Sequence, residues 1–472
     1  MKKILFCASE AVPYIKTGGL ADVAGALPAS LKEQNVDARV VLPYYKKIKE
    51  KNIATYVGYS YVNIANRLEY CGFFHSIHDG VDYYFIDSER YFNRDGLYGY
   101  GDDGERFAFF DFAILEMLKV VNFYPDVLHL NDWQTGLVPY ILKKNYHFHE
   151  EYREIKTVFS IHNIQYQGNF PNELMNILFM PYSNALEFDN NINFMKTAIV
   201  ESDIINTVSP TYKEEVLTDS FGYNLNNILG TRFFDFYGIL NGIDTVKFDP
   251  LTDPNIAVNY DYFSNEKKAL NKKALLEDFG LSSTEDVPLF GLVSRLVDQK
   301  GLDLLEPIMG DVLEYSNAKF IFMGSGDKKY EDFFRSLESK YKDRFKCYIG
   351  YNESVAQKIY AGADIFLMPS KFEPCGLGQL ISMRYGTLPL VRETGGLKDT
   401  VQPYNKYAGT GWGFSFSNYS SIELKDVMFL AMTTYNDKAA WHQMIKDAMN
   451  KDFSWDVSAK EYIKLYDKAL EK

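Results

Sequence analysis

Strand-like and helix-like segments alternate along this chain in two successive series, and that alternation restricts the fold more than any single residue does. The first series opens with KILFCAS (3–9) and then LADVAGALPASLKE, where Leu20, Val23, Ala24, Leu27 and Leu31 mark one helical face. ARVVLPYY (38–45) reads as a strand, and FFHSIHDGVDYYFIDS (73–88) as a hairpin turning at Asp79-Gly80. The helix RFAFFDFAILEMLKVV, the strand DVLHLND, the helix GLVPYILKKN and the strand KTVFSIHN follow; DIINTVSP and FYGILNG close the series. A polar, lysine-rich stretch at 252–287 has a helical middle. The pattern then restarts: PLFGLVSRL, KFIFMGSG, FKCYIGY, DIFLMPS and TLPLVRE each precede a helix-like segment. Such alternation implies parallel sheet with right-handed crossovers. The prediction is an α/β protein of two doubly wound Rossmann-like domains, residues 1–242 and 243–454, with a last amphipathic helix, SAKEYIKLYDKALEK, at the end. Ligands bind beyond the carboxyl ends of strands in open α/β sheets, so the expected active site is the cleft between the two domains.

Bulk properties narrow the function. A net charge of −13 over 472 residues lacks the basic footprint of a nucleic-acid or membrane-surface binder. No run approaches the ~18–20 apolar residues of a spanning helix. MKKILFCAS imitates a signal peptide, but Ser9 and Glu10 interrupt it, so it reads as a strand. Cys7, Cys71, Cys347 and Cys375 lie far apart without CxxC spacing, which leaves reduced thiols in the cytoplasm as the expectation.

Five loops could carry chemistry. In VPYIKTGGLADV, Gly18 and Gly19 let backbone amides approach a ligand at a helix start, and Lys16 adds positive charge at the same mouth. In SRLVDQKG, Arg295 and Lys300 suit a diphosphate. In PSKFEPCGLGQL, Glu373 arrives at the top of the sheet beside a turn shaped by Pro374 and Gly376, while Cys375 reads as a small pocket-lining residue. HLNDW and SIHN place Asp132, His162 and Asn163 at strand ends as a polar pocket. Asp102-Asp103 reads as a surface loop, and no metal motif is present; no cofactor or metal is expected. One echo links the halves: TGGLAD at 17–22 and TGGLKD at 394–399, matched in position, read as equivalent phosphate or sugar loops.

Together KTGGLADV, HLNDWQTGL, SIHNIQYQG, ILNGID, SRLVDQKG, GYNESVAQKIYAGADIFLMPSKFEPCGLGQL and VRETGGLKDTV resemble the bacterial glycogen synthase and plant starch synthase family over essentially the whole chain. The resemblance implies a GT-B fold, with residues 1–242 on the acceptor side, residues 243–454 holding the nucleotide sugar, and helix 455–472 packing back on the first domain. It implies glucose transfer from ADP-glucose to the non-reducing 4-hydroxyl of an α-1,4-glucan (glycogen), with retention. Glu373, Lys300, Arg295, His162 and Asp132 would form the catalytic set. Lys16, Gly18, Gly19, Asp22, Asn241, Tyr351, Cys375, Gly376, Leu377, Thr394 and Gly395 would bind ADP-glucose, with Tyr351 stacking on adenine. Two positions depart from the family's pattern, Asn131, where histidine is common, and Gly378, where threonine is common; Ile381, where many related retaining transferases carry a second glutamate, matches the synthase branch. The rival readings are a UDP-glucose-dependent transferase of the same fold, a nucleotide- or glucan-binding protein without turnover, and a dehydrogenase; the last lacks GxGxxG in either half. Oligomeric state stays open.

Overall fold

The computed structural model describes residues 1–178 and 183–472. The chain divides into two compact units, Met1–Gly242 together with Trp455–Lys472, and Ile243–Ser454. In the first unit the strands are β1 Lys3–Cys7, β2 Asp37–Pro43, β3 Thr55–Ile64, β4 Arg67–His78, β5 Val81–Asp87, β6 Val127–Asn131, β7 Lys156–Ile161, β8 Asn169–Pro171, β9 Glu187–Phe188, β10 Asn191–Asn193, β11 Ile204–Thr207 and β12 Phe236–Gly238. A nine-stranded sheet runs β12-β11-β7-β6-β1-β2-β5-β4-β3. It is parallel except where β4 pairs antiparallel with β3 and β5. Successive strands leave β1 first to one side and then, from β6 on, to the other. The loops after β1 and β6 therefore splay apart at a topological switch point, where such sheets bind ligands.

The apolar run of β1 follows from its place at the centre. Ile4 to Cys7 are fully buried, as expected for a strand covered on both faces, and each large side chain there contributes about 1.5–3 kcal/mol. Helix Gly19–Glu33 packs against the last helix, Trp455–Leu470. That last helix also reaches the sheet through tyrosine hydroxyls, Tyr466 to His129 Nδ1 at 2.8 Å and Tyr462 to Asn206 Nδ2 at 3.3 Å.

The hairpin turn lies where the sequence put it, with Asp79 (φ 48) and Gly80 (φ 73) both left-handed, the conformation a two-residue hairpin requires. Strand β3 was not read from the sequence. Its Val62 and Ile64 are buried, while Tyr56, Tyr59 and Tyr61 of β3 and Tyr70 of β4 are about half exposed, the Tyr59 and Tyr70 rings stacking at 5.8 Å. Outward-facing tyrosines and a register shift at Gly58 blur the alternation that marks a strand. The small sheet β8-β10-β9 also escaped, because strands of two or three residues carry no period. The segment GLVPYILKKN, read as one helix, is an α-turn at Val138–Ile141 continued by a π-turn over Leu142–Tyr146. Asp102-Asp103, read as surface loop, is corrected in part: Asp103 is buried and paired with the fully buried Arg106 at 2.7 Å.

The second unit carries β13 Leu289–Leu296, β14 Lys319–Gly326, β15 Phe345–Ile349, β16 Ile365–Met368, β17 Leu388–Arg392 and β18 Phe414–Phe416, in the order β15-β14-β13-β16-β17-β18. All its pairings are parallel, and its switch point lies between β13 and β16. The loops after these two strands are pressed together at Gly301 (φ 67), where an added Cβ would stand 1.9 Å from the Pro369 carbonyl oxygen. Lys371 N–H donates to Gln299 O at 2.8 Å across the same seam. Gly301→Ala is expected to lower stability by at least about 1–2 kcal/mol from its backbone conformation alone, read as a fall in melting temperature. A variant as stable as wild type would show that the loops do not make this approach.

Candidate active site

In the first unit the loops after β1, β6 and β7 bring together the predicted polar residues. The glycine loop after β1 is already satisfied from within. Glu10, buried at the carboxyl end of β1, accepts hydrogen bonds from Thr17 N–H at 2.5 Å, from Thr17 Oγ1 at 2.7 Å and from the Gly18 amide. Burial pushes this carboxyl above the usual range, against the pull of those donors. Lys16 Nζ sits 2.7 Å from both carboxylate oxygens of Asp22, a half-exposed pair on the first turn of the helix. Of the two glycines only Gly19 has open space around it. The expectation that both amides serve an anion is therefore narrowed, since a protein carboxylate holds the Gly18 amide. Glu10 went unread as a site residue. Its signal was a polar pair, Ser9-Glu10, directly after a buried strand.

Asp132 follows β6 with φ 56 and ψ −178, a region almost reserved for glycine and occupied elsewhere only at a cost of about 1–3 kcal/mol. Its carboxylate accepts the amides of His162, at 2.8 Å, and of Asn163 at the end of β7. Asp132 thus ties two strand ends together. Burial pushes its pKa up to about 7, with the two amides pulling the other way. The folded protein holds this proton to higher pH than the unfolded chain does. Ionising Asp132 therefore costs stability progressively as pH rises from about 4, the ordinary aspartate value, to about 7. Asp132→Asn keeps an acceptor for the amides and removes the ionisation. Its melting temperature minus that of wild type should grow across this interval and level off above it; a flat difference would show ordinary ionisation.

His162 is partly exposed, and burial lowers its pKa to about 3, so the ring is neutral. Its Nε2 lies 2.8 Å from Asn131 Oδ1. Asn241 is buried, and its Oδ1 has no hydrogen-bond partner among the described residues.

In the second unit three charged groups belong to the switch point, one at the end of β13 and two in the loops after β13 and β16. Lys300 Nζ lies 2.5 Å from Glu373 Oε2, which also accepts from Ser370 Oγ at 3.0 Å. Glu373 Oε1 has no partner among the described residues and is not sealed from solvent. Arg295, at the end of β13, is exposed, and no hydrogen bond or ion pair holds its guanidinium among the described residues. The arrangement offers one unpaired cation, one cation held by a carboxylate, and one carboxylate oxygen open to a hydroxyl donor.

The second TGGL loop differs physically from the first. An added Cβ on Gly395 (φ 45) would stand 2.0 Å from Glu373 O, and one on Gly396 2.2 Å from Cys375 O. These glycines let helix Gly395–Thr400 start directly against the main chain that carries Glu373, a packing reason the first loop lacks. Thr394 and Cys375 are buried, Gly376 has φ 76, and Leu377 is partly buried beside them. Gly378 lies against β16, where a Cβ would stand 2.9 Å from the Phe366 ring, so a threonine there would need Phe366 to move. Ile381 is buried in the following helix. Tyr351, 70% exposed at the end of β15, lies two strands from β13.

Sequence reasoning missed the residues that hold this loop. Fully buried Gln379 donates to Cys375 O, Gly376 O and Thr400 Oγ1 at 3.0–3.2 Å. Arg392 donates to Ser370 O at 2.8 Å and to Lys371 O. Both act on main-chain carbonyls, which leave no trace in spacing. Among the described residues no group of three His, Cys, Asp or Glu could hold a metal ion, and no helix is long and apolar enough to cross a membrane.

Two parallel-sheet units, each with polar loops at its switch point, define a two-domain glycosyltransferase of the GT-B kind, and comparison with known proteins agrees. The "Starch synthase catalytic domain" family matches residues 3–231, and "Glycosyl transferases group 1" matches residues 276–446. Glycogen synthases of Anoxybacillus flavithermus and Acholeplasma laidlawii are 47% and 48% identical, covering 99% and 98% of this chain and 98% of each relative. The catalytic domain of starch synthase IV from Arabidopsis thaliana, solved with ADP and acarbose, superposes with a TM-score of 0.91 at 31% identity, covering 100% of this chain and 99% of that one. Sucrose-phosphate synthase of Thermosynechococcus elongatus shares the fold, with a TM-score of 0.62 at 14% identity over 99% of this chain and 98% of its own. The chain belongs to the glycogen synthase and starch synthase family.

Proposed function

We propose that the protein transfers glucose from ADP-glucose to the non-reducing 4-hydroxyl of an α-1,4-glucan, with retention, as a glycogen synthase of the cytoplasm. Full-length relatives named glycogen synthase support the reaction, and the ADP of the starch synthase structure supports the donor. The observation that carries the reading is the switch point of the second unit, where Lys300 is paired with Glu373 Oε2 and Glu373 Oε1 is left open, with Arg295 exposed at the end of the neighbouring strand β13.

In this reading Arg295 and Lys300 meet the donor's diphosphate and stabilise the charge that grows on ADP as it leaves. Glu373 Oε1 accepts a glucose hydroxyl, and the loop of Cys375, Gly376 and Leu377 lines the same site. Tyr351 stacks on adenine. Lys16, Gly19, Asp22, Asn241, Thr394 and Gly395 complete the donor contacts, with Gly18 acting through Glu10. His162 lies on the transferred sugar, and Asp132 sets the turn that carries it. Lys300 occupies one oxygen of Glu373, and two amides hold Asp132. With the open Glu373 oxygen taken by a glucose hydroxyl in this reading and Asp132 held by two amides, the acceptor attacks from the face that ADP leaves.

Incorporation of labelled glucose into glycogen, measured with ADP-glucose and UDP-glucose in parallel, tests the proposal. Preference for ADP-glucose is the expected result. Preference for UDP-glucose would overturn the donor, and incorporation from neither would overturn the transferase reading.

A further inference from the structure

We propose that Asn131 is a positioning residue that fixes the tautomer of His162, holding the proton on Nε2 so that Nδ1 faces the sugar as a bare acceptor. The inference rests on the proposed transferase reading for its functional half; its structural half stands on geometry alone.

Asn131 is fully buried at the end of β6. Its Nδ2 donates to Cys7 O of β1 at 3.0 Å and to His129 O at 3.2 Å. Turning the amide over would aim Oδ1 at both carbonyls, so the orientation is settled by its partners. Oδ1 therefore faces His162 Nε2 at 2.8 Å, and an amide oxygen can only accept. Nε2 must carry the proton. Because burial keeps the ring neutral, Nδ1 is left with its lone pair, and no described residue donates to it. A neutral imidazole fixed this way accepts a hydroxyl proton and cannot donate one from Nδ1. The direction of one sugar contact is thus set from β1 and β6, at a position where histidine is common in the family.

The test uses the whole protein labelled with ¹⁵N-histidine; the His162 signal is the one of the seven histidines lost in His162→Gln. Wild type is expected to show protonated Nε2 and bare Nδ1. Asn131→Leu removes the acceptor and should give mixed tautomers, with kcat for glucosyl transfer reduced about tenfold, the value of one oriented hydrogen bond, and KM for ADP-glucose changed less. Asn131→Asp keeps an acceptor opposite Nε2. Its second oxygen takes the place of the amide nitrogen facing Cys7 O and His129 O and so carries the proton there; the variant should retain the single Nε2–H form, with the neighbouring Asp132, Glu10 and His129 unaltered. A protonated Nδ1 in wild type overturns the proposal even if both variants fail to fold. So does Asn131→Leu with a single Nε2–H form, whatever its kcat, and so does Asn131→Asp with mixed tautomers. Mixed tautomers with unchanged kcat and KM overturn the functional half. Absence of any glucosyl transfer would sink the transferase reading while leaving the tautomer signals readable.

Discussion

Lys300→Ala is expected to lower kcat by about 10²–10³-fold, the usual loss when one preorganised group facing developing charge is removed. In the proposed reading the lysine faces departing ADP as charge grows on it, so the loss should fall on kcat more than on KM for ADP-glucose. A second effect follows from its neighbour. Glu373 is 6% exposed and, among the described residues, has Lys300 as its one ion-pair partner. Breaking a fully buried pair costs about 3–5 kcal/mol; here the open Oε1 softens that cost, so the melting temperature should fall modestly. Lys300→Met keeps the packing of the stem but breaks the same pair, so kcat should stay as low as in the alanine variant and the melting temperature should fall by no more than it does there. Turnover near wild type in either variant would remove Lys300 from the catalytic set.

Glu373→Gln should cost about 10²-fold in kcat for a different reason. Glutamine keeps the shape and can still accept from Ser370 Oγ, but it no longer balances the charge of Lys300, which is only 16% exposed. An amide also accepts a sugar hydroxyl more weakly than a carboxylate does. Here KM for ADP-glucose should rise along with the fall in kcat, because in the proposed reading Glu373 meets the sugar before as well as during transfer. Steady-state kinetics with glycogen as acceptor would show both. A kcat loss without any rise in KM would contradict ground-state contact with glucose.

How much of this could be read beforehand depends on how local the cause is. The strands of both parallel sheets announce themselves because central strands are apolar on both faces, as in KILFC and LFGLV. Arg295, Lys300, Glu373, Asp132 and His162 are legible because they directly follow such strands. The pairing of Lys300 with Glu373 is not, because it depends on two loops 73 residues apart that meet only because Gly301 has no side chain. Asn131 was legible as a departure but not as the partner of His162, since that contact needs the register of β6 against β7. Glu10 sat in plain view beside the glycine loop, yet only coordinates show a carboxylate occupying the amides that a phosphate reading had reserved.

Gly301, Gly395 and Gly396 bring three stretches of main chain into contact with no side chain between them. A group seated by side-chain packing inherits the rotamer freedom of its neighbours, whereas the Glu373 segment rests on peptide planes, which are far stiffer. Substitution of Lys300 or Ser370 should then free the carboxylate while leaving the main chain that carries it in place. A methyl group on one of those glycines would instead displace the main chain itself.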